Sequence, residues 1–216
     1  LLPRFIAAAL GLSACSAPEP GTNDSQNTAT EAVAPVVARP PKQYAIEDFI
    51  DTVSVQGASF SPDDSRVMFS SNRSGIWNAY TMPVGGGEWT AVTQSTTDNV
   101  YAVGYFPNDA RMLVTRDAGG NELNHLYVIE ADGSERDLTP GDKLKAAFAG
   151  FNRAGDAFYV SSNERDPKLF DIYRYDAKTY ARELAFENKD GYEPGEISDD
   201  GRYIALGRTR TTNDND

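Results

Sequence analysis

The chain has 216 residues, with 32 acidic against 20 basic side chains and a formal charge of −12. That balance argues against nucleic acid or an anionic bilayer as the main partner, because both need clustered Lys and Arg. One cysteine excludes an internal disulfide framework and a cysteine-based zinc site, and one histidine leaves little room for a His-based metal centre or a triad. Hydrophobic residues at 40% and aromatics at 11% nonetheless supply a real core.

Residues 1–15 have the layout of a secretory signal: Arg4 flanks an apolar run from Phe5 to Leu12, followed by small residues. The run is too short to span a bilayer as a helix. Leu12-Ser13-Ala14-Cys15 resembles a bacterial lipobox, with Cys15 as the expected site of lipid attachment and the membrane a partner through that anchor. Ser16 follows where an Asp would signal inner-membrane retention, so a periplasm-facing lipoprotein of the outer membrane is expected. Residues 16–41 are rich in Pro, Ser, Thr, Asn and Glu without apolar period, which predicts a flexible linker. Ala45–Asp51 is the one short helical candidate.

From residue 42 onward the sequence is read as short strands with a period of about 45 residues. Arg66-Val-Met-Phe, Arg111-Met-Leu-Val, Asp156-Ala-Phe-Tyr and Arg202-Tyr-Ile-Ala align, each preceded by a turn of one kind, such as Phe60-Ser-Pro-Asp-Asp-Ser. A tyrosine-centred strand follows in three copies, at Tyr80, Tyr127 and Tyr173, then a Gly- or Asp-containing hairpin and a fourth short run. Four strands per repeat at this period predict an all-β fold, a β-propeller of four-stranded blades at about 52–94, 98–140 and 146–187. A fourth blade begins at 193–216, so about three and a half blades are expected, with apolar faces and a strand edge left uncovered. The chain starts on Leu and stops where a tyrosine-centred strand would open, which reads as a fragment of a longer protein.

The Phe60-Ser-Pro-Asp-Asp-Ser-Arg-Val-Met-Phe motif resembles that of TolB-like proteins and of the prolyl oligopeptidase family of serine peptidases. Thr115-Arg-Asp-Ala-Gly-Gly-Asn-Glu-Leu-Asn-His-Leu-Tyr127 is more selective. It is similar to the second-blade segment of that family's bacterial dipeptidyl-aminopeptidase and acylaminoacyl-peptidase branch. The lead-in at Tyr44-Ala-Ile-Glu-Asp-Phe-Ile also resembles that branch. The resemblance implies a substrate-gating propeller ahead of a C-terminal α/β-hydrolase domain, which would hydrolyse short peptides with a Ser-Asp-His triad. The implied partners are a peptide substrate and the chain's own hydrolase domain, with no cofactor and no nucleic acid.

None of that catalytic machinery is expected within these 216 residues, since no Gly-x-Ser-x-Gly elbow occurs. His125, in an alternating strand, is expected to make a structural hydrogen bond. Arg116, Asp117 and Glu122 flank a Gly-Gly turn and are the candidates for contact with a substrate terminus or the hydrolase domain; a turn-stabilising salt bridge is the blander use. Asp63-Asp64 and Asp199-Asp200-Gly201 fit hairpin turns better than calcium loops. Trp77 and Trp89 are expected on strands, packing between blades. The alternative function is a non-catalytic TolB-like propeller lipoprotein that binds proteins in the bacterial envelope.

Overall fold

The computed structural model describes residues 41–211 and 214–215. The expected signal segment, Cys15 and nearly all of the linker lie outside the described residues. One helical turn, α1 (Glu47–Ile50), falls inside the helical candidate and precedes the strands.

Blade 1 is formed by β1 (Val55–Phe60), β2 (Arg66–Ser71), β3 (Asn78–Pro83) and β4 (Thr90–Ala91). Blade 2 comprises β5 (Val100–Tyr105), β6 (Met112–Arg116), β7 (His125–Ile129) and β8 (Glu135–Asp137). Blade 3 comprises β9 (Ala146–Phe151), β10 (Ala157–Asp166), β11 (Leu169–Asp176) and β12 (Arg182–Phe186). Each is an antiparallel meander with its strands in chain order. Two hairpins follow, β13 (Glu193–Ile197) with β14 (Ile204–Gly207), and β15 (Thr209–Thr211) with β16 (Asp214–Asn215). The first strand of each blade carries one unpaired extra residue, at Gly57, Val103 and Ala149. Such a bulge bends and twists the strand locally, and its recurrence shows that the repeat extends to backbone irregularities.

Strand alternation gives each blade two apolar faces. In blade 2, Leu113, Leu126 and Val128 join Phe106 and the blade 3 residues Phe158, Val160 and Tyr175 in one buried cluster. Their neighbours Val114 and Ile129 point the other way and pack with Met68, Ala79 and Val100. Residues one apart in sequence therefore serve different junctions, as period 2 requires. Phe158 lies at the middle of the second junction, with ring centroids 4.9 Å from Tyr175, 5.8 Å from Phe106 and 5.8 Å from Phe151. The residue that opens the pairing of the innermost strand is buried in blades 2 and 3 (Val100 0%, Ala146 2%) but 55% exposed at Val55. Blade 1 thus presents an uncovered flank among the described residues.

The tryptophans divide. Trp77 sits just before β3 and packs on Tyr101 of blade 2, centroids 5.8 Å apart, an inter-blade contact. Neither lies within a strand, as both were expected to, and Trp89 departs further: it packs within its own blade, edge-on to Phe69 at 4.7 Å and tilted to Tyr80 at 5.8 Å. The register is the cause: Ala91 pairs with Tyr80 and Tyr80 with Phe69, so Trp89, two residues from Ala91, falls on the face that carries both rings.

The turns before the second strands use their carboxylates locally. Asp63 accepts from the hydroxyls of Ser61 (2.6 Å) and Ser65 (2.9 Å), and Asp200 from the Ser198 hydroxyl (2.8 Å) and Arg202 N (3.1 Å). The Ser61 hydroxyl, with the Ser65 hydroxyl and amide, lowers the Asp63 carboxyl to about 2. Asp109, Asp132, Asp176 and Asp200 are lowered as well, chiefly by bonds from Arg111, Ser134, the Thr179 amide and Ser198. A carboxyl depressed in the folded state contributes stability above its unfolded pKa and loses it as pH falls through the folded value. The melting temperature is therefore expected to fall once pH drops below the ordinary aspartate value of 3.8 and to go on falling towards 2. A pH series of thermal melts checks this, and a midpoint constant down to pH 2 would contradict it.

Candidate functional site

The Gly-Gly turn that joins β6 to β7 is built around Asp117. Asp117 Oδ2 accepts the Glu122 amide at 2.8 Å, closing the loop across five residues. Asp98, from the connection between blades 1 and 2, accepts the Gly119 amide at 2.7 Å. Gly119 and Gly120 take φ of +63° and +74°, and Glu122 follows at +61°. The glycines reach the left-handed region without strain, whereas Glu122 is held there by the bond to Asp117.

Arg116 does not join this group. Its guanidinium forms a two-bond pair with Glu135 on β8, at 2.9 and 2.6 Å, and lies 4.1 Å from the Tyr127 ring centroid. Burial works to lower the Arg116 pKa, but the Glu135 bonds outweigh it and the net shift is upward. The structure thus brings Asp117 to the Glu122 backbone and spends Arg116 on its own blade. The Glu122 carboxylate is exposed and makes no ion pair among the described residues. Beside the loop lies a pocket of about 160 Å³ lined by Arg116, Asp117, Asn121, His125, Tyr127 and Asp142. Arg116 and Asp117 line this pocket and Glu122 stands next to it on the loop. An exposed carboxylate beside a small polar pocket suits a cationic group such as a free amine.

His125 Nδ1 lies 2.8 Å from Asp137 Oδ2 on β8. The same place in the repeat, two residues before the central tyrosine, serves the same end in the other blades. Asn78 Oδ1 accepts from the Thr93 hydroxyl (2.9 Å) and from Ser95 N (2.8 Å). Asp171 Oδ1 accepts Asn188 N at 2.8 Å. All three side chains hold the third strand to the chain segment that runs along it or leaves it. Thr93 and Thr139 add a matching bond, each hydroxyl accepting the next amide of the third strand at 2.9 Å (Ala79 N and Leu126 N).

Sequence reasoning missed the most buried ion pair. Asp171, fully buried, accepts Arg165 Nε at 2.7 Å and Nη2 at 2.8 Å. Burial pushes its carboxyl up, but Arg165 and the Asn188 amide more than offset this, and the net shift is downward. The alignment of Asp171 with Asn78 and His125 was the available signal.

No family model matches the chain. It is 31% identical over 142 residues to Dipeptidyl aminopeptidase BIII of Pseudoxanthomonas mexicana, a match that covers 64% of this chain and 20% of that protein. The chain therefore spans about a fifth of the length of that relative. Among solved structures it is similar to TolB from Acinetobacter baumannii, with TM-score 0.55, 20% identity, and 75% of this chain and 39% of that one covered. It is also similar to a prolyl endopeptidase, with TM-score 0.56, 16% identity and coverage of 70% and 24%. A puromycin hydrolase gives TM-score 0.52, 14% identity and coverage of 71% and 25%. Stacked four-stranded meanders and these structural likenesses make the described chain a β-propeller segment. The sequence match to an aminopeptidase gives this propeller segment a likeness to part of a peptidase chain.

Proposed function

We propose that this chain is the substrate-gating propeller portion of a secreted, lipid-anchored serine peptidase that hydrolyses short peptides. The observation that carries the reading is the 31% identity to an aminopeptidase over 142 residues. The catalytic α/β-hydrolase domain would follow in the longer protein, with its serine on a Gly-x-Ser-x-Gly elbow attacking the peptide carbonyl. The propeller's role is exclusion: a ring of blades in front of the active site admits a slender peptide and turns away a folded chain. The exposed Glu122 carboxylate would meet the free amine of an entering peptide or a basic group of the hydrolase domain. Cys15, acylated, would tether the enzyme to the outer membrane with residues 16–41 as a spacer.

The test is to extend the gene beyond codon 216, express the intact product and treat it with a fluorophosphonate probe. Labelling that depends on a downstream Gly-x-Ser-x-Gly serine is the expected result. A stop codon soon after the propeller closes, with no labelling, would sink the peptidase reading and leave an envelope-binding propeller of the TolB-like kind.

A further inference from the structure

The sequence contains three Asp-Gly steps, Asp132-Gly133, Asp190-Gly191 and Asp200-Gly201, and no Asn-Gly. Such a step can rearrange, because glycine has no Cβ to shield its backbone nitrogen from the preceding aspartyl side chain. The reaction needs two groups at liberty, the carboxyl and the following amide. At two of the three steps the fold occupies both. Gly133 N donates to Glu130 O at 2.9 Å, and Asp132 Oδ1 accepts from Ser134 N (2.9 Å) and the Ser134 hydroxyl (2.6 Å). Gly201 N donates to Ser198 O at 2.7 Å, and the Asp200 carboxylate accepts from the Ser198 hydroxyl, Arg202 N and Arg202 Nε.

The third step is built differently. Asp190 and Gly191 are exposed, in the connection from β12 to β13. Gly191 N has no hydrogen-bond acceptor among the described residues, and the Asp190 carboxylate has no hydrogen bond or ion pair among them. The neighbouring Lys189 turns instead to Glu187, at 2.8 Å. A Cβ on Gly191 would come no closer than 3.9 Å to Leu169 Cδ2, its nearest neighbour, so the space around the step is open. The chain on either side is fixed. Asn188 Nδ2 donates to Tyr192 O (2.7 Å) and Tyr192 N to Asn188 Oδ1 (3.0 Å), a clamp that spans the step. Asn188 N is bonded to Asp171 and Asn188 O to Arg165, which ties the clamp to the buried ion pair.

We propose that Asp190 is a site of spontaneous isoaspartate formation, and that the conversion loosens the joint between blade 3 and β13. The Gly191 nitrogen attacks the carbon of the protonated Asp190 carboxyl, and the new C–N bond closes a succinimide ring. The carboxyl hydroxyl and the amide proton leave together as water. Water then opens the ring. Attack at the side-chain carbonyl restores aspartate, whereas attack at the main-chain carbonyl leaves the chain running through Cβ and Cγ, with an extra backbone atom. The water lost in the first step is regained in the second, so the net change is an isomerisation. The added atom lies inside the Asn188–Tyr192 clamp, whose bonds were set by the shorter chain. The inference does not rest on the peptidase reading.

Incubation of the folded full chain at mildly acidic pH tests it, followed by peptide mapping and labelling of the peptides with an isoaspartate methyltransferase. Isoaspartate is expected at residue 190 at least about tenfold faster than at 132 or 200, since those steps must first open an amide bond and a carboxylate bond. In the guanidinium-unfolded chain the three steps should react at similar rates. Asp190→Glu, whose longer side chain closes the ring far more slowly, is expected to abolish labelling of this peptide. Asp190→Asn, which expels ammonia in place of water, is expected to raise it. Equal rates at the three steps in the folded chain, or a preference for Asp190 that survives unfolding, would overturn the structural account. Hydrogen exchange reads the consequence: the Asn188 and Tyr192 amides should lose protection in the aged chain, and unchanged protection would overturn the loosening.

Discussion

Asp171→Ala is expected to lower the stability of the chain by about 3 kcal/mol, at the lower end of the range for breaking a buried ion pair. The carboxylate is fully buried, and its removal strands the Asn188 amide and takes both carboxylate bonds from Arg165. The loss stays at the lower end because the Arg165 side chain is 34% exposed and keeps its bond to Asn188 O at 2.7 Å. Asp171→Asn retains an acceptor for the Asn188 amide and is expected to cost less, about 1–2 kcal/mol. Urea unfolding measures the total, and hydrogen exchange localises it: amides of β11 and of the segment around Asn188 should lose protection first. A loss below about 1 kcal/mol for the alanine variant would show that the pair contributes little net stabilisation.

Phe158→Ala is expected to cost more, about 3–5 kcal/mol, because its ring is the shared packing element of two blades. Phe106, Phe151 and Tyr175 surround it, so no single neighbour can collapse into the space without leaving another contact. Phe158→Leu keeps most of the volume and should lose about 1–2 kcal/mol. The signature that separates this variant from Asp171→Ala lies in the exchange pattern. Here the exposed amides should include those of β6 and β7 in blade 2 as well as β10 in blade 3. Loss of protection confined to blade 3 would contradict a junction role.

The blades were legible because their markers are local. A turn, a strand and a tyrosine at a fixed offset recur within each repeat, and a period of about 45 residues leaves few alternatives. What escaped depends on pairing across the blade. The Arg165–Asp171 pair joins the two arms of an unusually long hairpin close to its turn, and Arg165 has no counterpart in the repeat pattern. Trp89 reads as an inter-blade residue until the pairing of Ala91 with Tyr80 is known, which sets Trp89 over Tyr80 and Phe69 of its own blade. Within the candidate site, Asp117 and Glu122 were visible as charges on a turn, but the placement of Arg116 was not. Its partner Glu135 lies 19 residues away on a short strand whose register the sequence leaves open.

The two tryptophans supply the molecule with its own optical gauges. Trp77 touches the neighbouring blade through Tyr101, whereas Trp89 touches its own blade through Phe69 and Tyr80. With Trp89 replaced by phenylalanine, emission comes from Trp77 and follows the parting of blades 1 and 2. With Trp77 replaced, emission comes from Trp89 and follows the melting of blade 1 itself. Two denaturation curves that fail to superimpose would then separate a propeller that comes apart blade from blade from one that dissolves strand by strand.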